Sequence, residues 1–306
     1  MFIFHHYSMS PFSEKIRLMF GYAGLSWQSL PCPERPPRPT VDPLSGGYRR
    51  IPIAQIGADI FCDSRLISAE IARQSGKPAL DPARGSEALR GYARQLESDV
   101  FWAAVLSMSP GTTIRQLVRN VGLWKTLRFI RDRAGVGRSA RVQLPSAKQA
   151  RAAFAAHLAE LERRLEGDFL VGNTPSHADF AAYHTLWFQH VVGGVPLPAD
   201  LQRVADWYRR MSACGHGFPV TISREDAFAA ARDQLPRPVP SADTGDALIG
   251  TAVTVSPDDY ALDAVQGVLV GSSDERWIVA RETPEFGLLH VHFPRAGFEL
   301  RSQVAA

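Results

Sequence analysis

Ser10 is the first residue whose type and setting could do chemistry. Across Tyr7-Ser8-Met9-Ser10-Pro11-Phe12-Ser13 the chain passes from an apolar strand into a helix, with Ser at the N-cap and Pro at the first helical position. Free backbone N–H groups and the positive end of the helix dipole favour an anion there. A thiol brought to this point loses its proton more readily, and a serine hydroxyl can donate a hydrogen bond to the thiolate. The same Ser-Pro pair is also an ordinary way to begin a helix. Tyr7 is a competing hydroxyl, but it belongs to the strand. Ser13 stands at the second cysteine position of a CPxC-like arrangement, so disulfide exchange by an enzyme thiol is excluded.

Two other positions could meet a ligand. The proline of Ile51-Pro52 is compatible with a cis bond, which would leave the backbone of Ile51 free to pair with an extended peptide. Asp63-Ser64 opens a second helix whose N–H groups could hold a carboxylate, although plain capping also explains the pair. Metal chemistry is not expected. His5 and His6 point to opposite faces of a strand, and His290 with His292 lacks a third ligand. Cys32, Cys62 and Cys214 are far apart and form no CxxC pair, which fits a reducing cytoplasm.

The elements that must position these residues can be read in outline. A strand at 2–7, the helix after Ser10, a strand at 26–30, a proline-rich stretch to Gly47, a hairpin over 51–62 and a helix over 66–74 give the order β-α-β, irregular segment, β-β-α. Helices are predicted over 86–106, 113–134, 146–166, 177–192 and 199–213, with Ser176 to Asp179 as a capping box. Residues 235–241 read as a linker, and the alternating segments beyond them as a small all-β unit of SH3-like or OB-like form. The fold class is thus an α/β domain, an all-α domain and a small all-β domain, over 1–80, 85–230 and 243–306.

Composition agrees with an ordinary folded protein: 306 residues, 45% hydrophobic and 21% charged, with a net charge of +3. The charge is uneven. Arg115 to Arg141 carries eight Lys/Arg against the single acid Asp132, a solvated helix surface or an anion-attracting rim. No nucleic-acid or membrane partner is expected: no apolar run approaches the roughly 18 residues of a membrane span, and the N-terminus does not read as a signal peptide.

In combination, Ser-Pro-Phe-Ser-x-Lys-x-Arg from Ser10 to Arg17, Ile51-Pro52 before the hairpin and Asp63-Ser64 at the helix start resemble the N-terminal domain of cytosolic glutathione transferases. Ser176-His177-Ala178-Asp179 after Phe169-Leu170-Val171-Gly172 resembles the helical domain of the same family. The likeness covers about residues 1–215 and implies a thioredoxin-like first domain. It implies that Ser64 holds the glutamyl carboxylate of glutathione, with Asp63 beside it. The backbone of Ile51 would pair with the cysteinyl unit, next to a cis Pro52. Arg50 or Arg49 would meet the glycyl carboxylate. Ser10 falls where serine- and cysteine-type classes (tau, zeta and omega-like) keep their catalytic residue. Phe12 and Trp102, or Phe101, would wall an apolar substrate. The activity implied is conjugation of the glutathione thiolate, as co-substrate, to an electrophilic carbon, in a cytoplasmic homodimer. A non-catalytic interaction module and a glutathione-dependent isomerase or ether-cleaving enzyme are the alternatives. The proline-rich stretch stands where the family usually has a helix, and the tail after residue 243 has no counterpart in the resemblance.

Overall fold

The computed structural model describes residues 1–142 and 144–303. Its first elements are β1 (Phe2–His6), α1 (Pro11–Ala23) and β2 (Ser26–Pro31). β1 alternates as a strand buried on both faces does: Phe2 and Phe4 join Phe20 and Trp27 in one core, whereas Ile3 meets Leu30 on the other side. Ser10 caps α1 by accepting the Ser13 N–H at 3.1 Å, and Gly24 closes it at φ +67°. The proline-rich stretch forms one short turn, α2 (Asp42–Ser45). It is held by Arg38, only 2% exposed, which donates to the carbonyls of Pro33, Glu34 and Arg49. The hairpin β3 (Ile53–Ile56) and β4 (Asp59–Cys62) follows, then α3 (Ser64–Ser75). The Ile51–Pro52 bond is cis, and so is Pro36–Pro37, which the sequence pattern did not single out.

The helical layer comprises α4 (Glu87–Gln95), α5 (Phe101–Ser107), α6 (Pro110–Val121), α7 (Leu123–Ser139), α8 (Ala147–Arg164), α9 (His177–Trp187) and α10 (Gln202–Ser212). The helix predicted over 86–106 is interrupted by a π turn at Leu96–Val100, and the one over 113–134 breaks at Gly122, whose φ is +86°. The predicted capping box forms. Asp179 accepts from the Ser176 N–H and hydroxyl at 2.8 Å, and its other oxygen takes the Leu170 N–H and the Trp207 indole N–H. One buried carboxylate therefore ties α9 to α10 and to the 169–172 turn.

The chain then returns to the first sheet. β5 (Phe218–Thr221) lies parallel to β2, and α11 (Arg224–Arg232) packs Ala227 against Ile3 and Leu30. The predicted linker is anchored: the Arg237 N–H and guanidinium bind Asp59, and the guanidinium also reaches Glu70.

The last five strands are β6 (Ala252–Pro257), β7 (Val265–Ser272), β8 (Arg276–Thr283), β9 (Gly287–Pro294) and β10 (Phe298–Ser302). They are β-rich as expected but do not form a separate barrel. β9 lies parallel beside β4, with Asp59, Ile60 and Phe61 opposite His290, Val291 and His292. The result is one ten-stranded sheet in the order β10-β6-β7-β8-β9-β4-β3-β1-β2-β5. Two physical reasons favour this. β4 would otherwise be an edge with unpaired backbone groups. The strands' apolar residues Val255, Leu269, Val279 and Val291 also share a core with Val41, Leu44, Ile53 and Ile60 of the first unit, so this small unit needs no separate core.

Candidate functional site

The strand-to-helix turn after β1 is locked by Arg17. Its guanidinium donates to the carbonyls of Tyr7 and Ser8 and to Glu14, and it also meets His6. The Arg at the end of the Ser10–Arg17 motif is therefore a clamp on the loop that presents Ser10. Lys15, the other cation of that motif, is fully buried and crosses to the helical layer, where Nζ lies 2.6 Å from Glu97. Glu97 sits in the π turn and also receives Arg65 at 3.0 Å and His177 at 3.3 Å. Burial opposes ionisation of Glu97, yet Lys15, His177 and Arg65 outweigh it and hold its carboxyl well below the usual range.

Beside this hub is a cleft of about 90 Å³. Of the residues given a binding or pocket role from sequence, Phe12, Arg50, Ile51, Pro52, Asp63 and Ser64 line it, and Arg49, Phe101 and Trp102 do not. Asp63 has φ +79°, a left-handed conformation that non-glycine residues adopt only at a cost of about 1–3 kcal/mol. Its side chain accepts the Arg65 N–H at 2.8 Å, so the strained residue also caps α3, whose first residue is Ser64. The positive end of α3 thus opens on the cleft beside a hydroxyl and Arg65, a setting suited to a carboxylate.

Ser10 does not line the cleft. It is 1% exposed, and its Oγ is the acceptor for Ser13, leaving its own O–H proton still to donate. Tyr7 packs against the core shared with the last five strands. Trp102 does not line the cleft either. Its ring stands edge-on to Tyr260 at 5.3 Å, while Phe12 packs on Phe101 at 4.8 Å. Arg49 points elsewhere, to an ion pair with Asp132.

Several lining residues escaped the sequence reading. Arg65 is adjacent to Ser64 and could have been found as the next cation on the same helix start. Tyr48 is fully buried on the cleft wall, and among the described residues its hydroxyl has no hydrogen-bond partner. Such an orphan marks a place where a bound group would be satisfied. Asp259, Tyr260 and Phe298 come from the last unit, over 200 residues from Arg50. Arg50 donates to the Asp259 carboxylate and the Tyr260 carbonyl, and its guanidinium lies 4.0 Å from the centre of the Tyr260 ring. Burial opposes the charge on Arg50, but Tyr260, Tyr48 and Asp259 raise its pKa above the ordinary arginine value. This latch closes one side of the cleft.

Residues 4–79 match the family model described as the glutathione S-transferase N-terminal domain, and residues 128–210 match the C-terminal domain. The solved structure of a GST-like protein from Pseudomonas syringae is 32% identical, with a TM-score of 0.80, over 99% of each chain. The chain belongs to the glutathione S-transferase family. The Pseudomonas protein spans all three units, so the third is part of a shared architecture within the glutathione S-transferase family. A glutathione S-transferase from Sinorhizobium meliloti is 20% identical over 70% of this chain and 88% of its own, with a TM-score of 0.48. Another, from Methylobacterium radiotolerans, is 17% identical over 72% of this chain and 97% of its own, also at 0.48. No curated protein matches the sequence. No helix among the described residues is long and apolar enough to cross a membrane.

Proposed function

We propose that the cleft binds glutathione and that the protein conjugates its thiolate to an electrophilic, largely apolar small molecule. The observation that carries this reading is convergence. The cis Ile51–Pro52 pair, the capped start of α3 at Ser64 and the orphan hydroxyl of Tyr48 all border one cleft. In this reading Ser64 and the α3 N-terminus hold the glutamyl carboxylate, and the Ile51 backbone pairs with the cysteinyl unit. A thiol of pKa about 8.5 must be lowered by roughly two units, about 3 kcal/mol, to be mostly ionised at pH 7. The α1 terminus and a hydrogen bond from Ser10 supply that order of energy, which requires the cleft to widen as far as that buried hydroxyl. The rings of Phe12 and Tyr260 form the apolar side for the acceptor, with Phe101 and Trp102 packed behind them. A homodimer belongs to the same reading.

Binding and chemistry separate in two variants. Ser64→Ala removes a hydrogen bond to a charged group and is expected to weaken glutathione binding roughly 10- to 100-fold in calorimetric titration. Ser10→Ala is expected to retain binding while lowering kcat/KM with a chloronitroaromatic acceptor by on the order of 100-fold. No heat of binding at millimolar glutathione overturns the whole reading. An unchanged rate in Ser10→Ala removes only the serine mechanism and leaves the interaction-module alternative to be judged on binding.

The latch bears on affinity. Ligand pockets usually enclose about 300–1,000 Å³, well above the volume of this cleft as it stands. Admitting a tripeptide therefore needs one wall to yield, and the Arg50 contact with Asp259 and Tyr260 is the wall that joins the first unit to the third. Asp259 is partly exposed, so the pair is worth at most about 1 kcal/mol. Asp259→Ala is accordingly expected to tighten glutathione binding about fivefold by the same titration. Weaker binding in that variant would mean that Asp259 contacts the ligand.

A further inference from the structure

On the far side of the 259–263 segment lies a cavity of about 540 Å³ that the glutathione reading leaves unused. Its polar lining is Arg35 from the proline-rich stretch, Arg49 just after it, Arg128, Arg131 and Asp132 from α7, and Asp263 from the third unit. The frame is fixed. Arg38, buried and bonded to three carbonyls, holds the stretch that carries Arg35 and the Arg49 backbone just after it. α7 is fastened to that frame by the Arg49–Asp132 ion pair and by the Arg133 guanidinium on the Glu34 carbonyl at 3.2 Å.

With that frame satisfied, the cations left over stand out. Arg128 and Arg131 are three residues apart and so share a face of α7. Among the described residues, neither they nor Arg35 has a carboxylate within ion-pair distance. Four arginines meet two carboxylates here, an excess of two positive charges around one cavity. Like charges gathered this way repel each other unless an anion lies between them. Guanidinium groups bind phosphate and carboxylate oxygens in pairs, which a lysine cluster does not do as well. The depression is open to solvent, with Arg128 and Arg131 exposed, so an occupant keeps part of its surface in water.

We propose that this cavity binds a small oxyanion carrying at least two phosphate or carboxylate groups. The site is distinct from the glutathione cleft, from which the Arg50–Asp259–Tyr260 latch divides it, and the assignment does not rest on the glutathione reading. Its occupant bridges the α7 arginines to Arg35, with Arg49 completing the ring beside Asp132.

The test titrates the full chain with inorganic pyrophosphate and, separately, with citrate, each at 150 mM salt. Saturable binding of one or both is expected, and the tighter of the two shows whether phosphate or carboxylate is preferred. The Arg128→Gln/Arg131→Gln double variant is expected to bind at least tenfold more weakly. Both positions are exposed and glutamine keeps helix propensity, so the variant should fold. Lys148→Gln, a cation on α8 outside the cavity, is expected to change nothing. Absence of saturable binding of either anion overturns the proposal, as does binding undiminished in the double variant. Mutual competition with glutathione overturns it too, because the cavity would then be an arm of the first cleft.

Discussion

Acidification from pH 7 to pH 5 is expected to unfold this protein, because several histidines are buried in their neutral form. Burial is the first cause in each case. It lowers His5 and His157 to about 4, the former against a hydrogen bond to Gln55. It lowers His6 and His184 to about 3, where Arg17 and Lys15 respectively add to the effect. In the unfolded chain these rings titrate near 6.5. Between that value and the folded values, the unfolded chain binds protons that the native state excludes, so stability falls as pH falls. The contribution is complete above about pH 6.5 and costs about 2 kcal/mol per ring by pH 5. Four rings together approach the 5–15 kcal/mol that stabilises a typical protein. Urea unfolding followed by tryptophan fluorescence should show a midpoint that is flat from pH 8 to 7 and collapses between pH 6.5 and 5. A midpoint unchanged at pH 5 would refute the account. His184 lies among aromatic rings, with Phe12 at 4.8 Å and Phe101 at 5.8 Å, so His184→Phe should remove about a quarter of the loss.

The second large effect lies at the Glu97 hub. Glu97→Ala leaves Lys15 fully buried with no carboxylate, and breaking a buried pair from one side costs about 3–5 kcal/mol. Lys15→Met should cost clearly less. In that variant Glu97 keeps Arg65 at 3.0 Å and His177 at 3.3 Å, and the methionine fills the volume beside Phe12. Denaturant unfolding at pH 7.5 distinguishes the two. Equal losses would mean that the hub acts as a unit and not through Lys15. Because Arg65 and Glu97 both border the cleft, Glu97→Ala should also loosen the start of α3 and weaken glutathione binding.

Much of the first unit was legible because its signals are local. The Ser10-Pro11 cap, the Asp63-Ser64 cap and the Ser176–Asp179 box each satisfy backbone groups within three residues, so type and spacing suffice to find them. The order of those caps was also enough to gather Ile51, Pro52, Asp63 and Ser64 around one cleft. The break at Gly122 and the π turn at Leu96–Val100 were missed, because apolar periodicity runs through both without a change in composition. The third unit was seen as β-rich from its alternation. Its attachment was not seen, since a strand's period says which residues are buried but not which edge it joins.

By itself, the sequence determined the caps, the strand alternation and the cis-compatible proline, and with them the family and one side of the first cleft, from Ile51-Pro52 to Asp63-Ser64. Only the tertiary structure decided what closes that cleft and what lies behind it. The Arg50–Asp259–Tyr260 latch, the Lys15–Glu97 pair and the arginine cavity each join residues that are 80 or more positions apart. Charge–charge contacts of that kind depend on distance in space, and no local pattern of residue types encodes it.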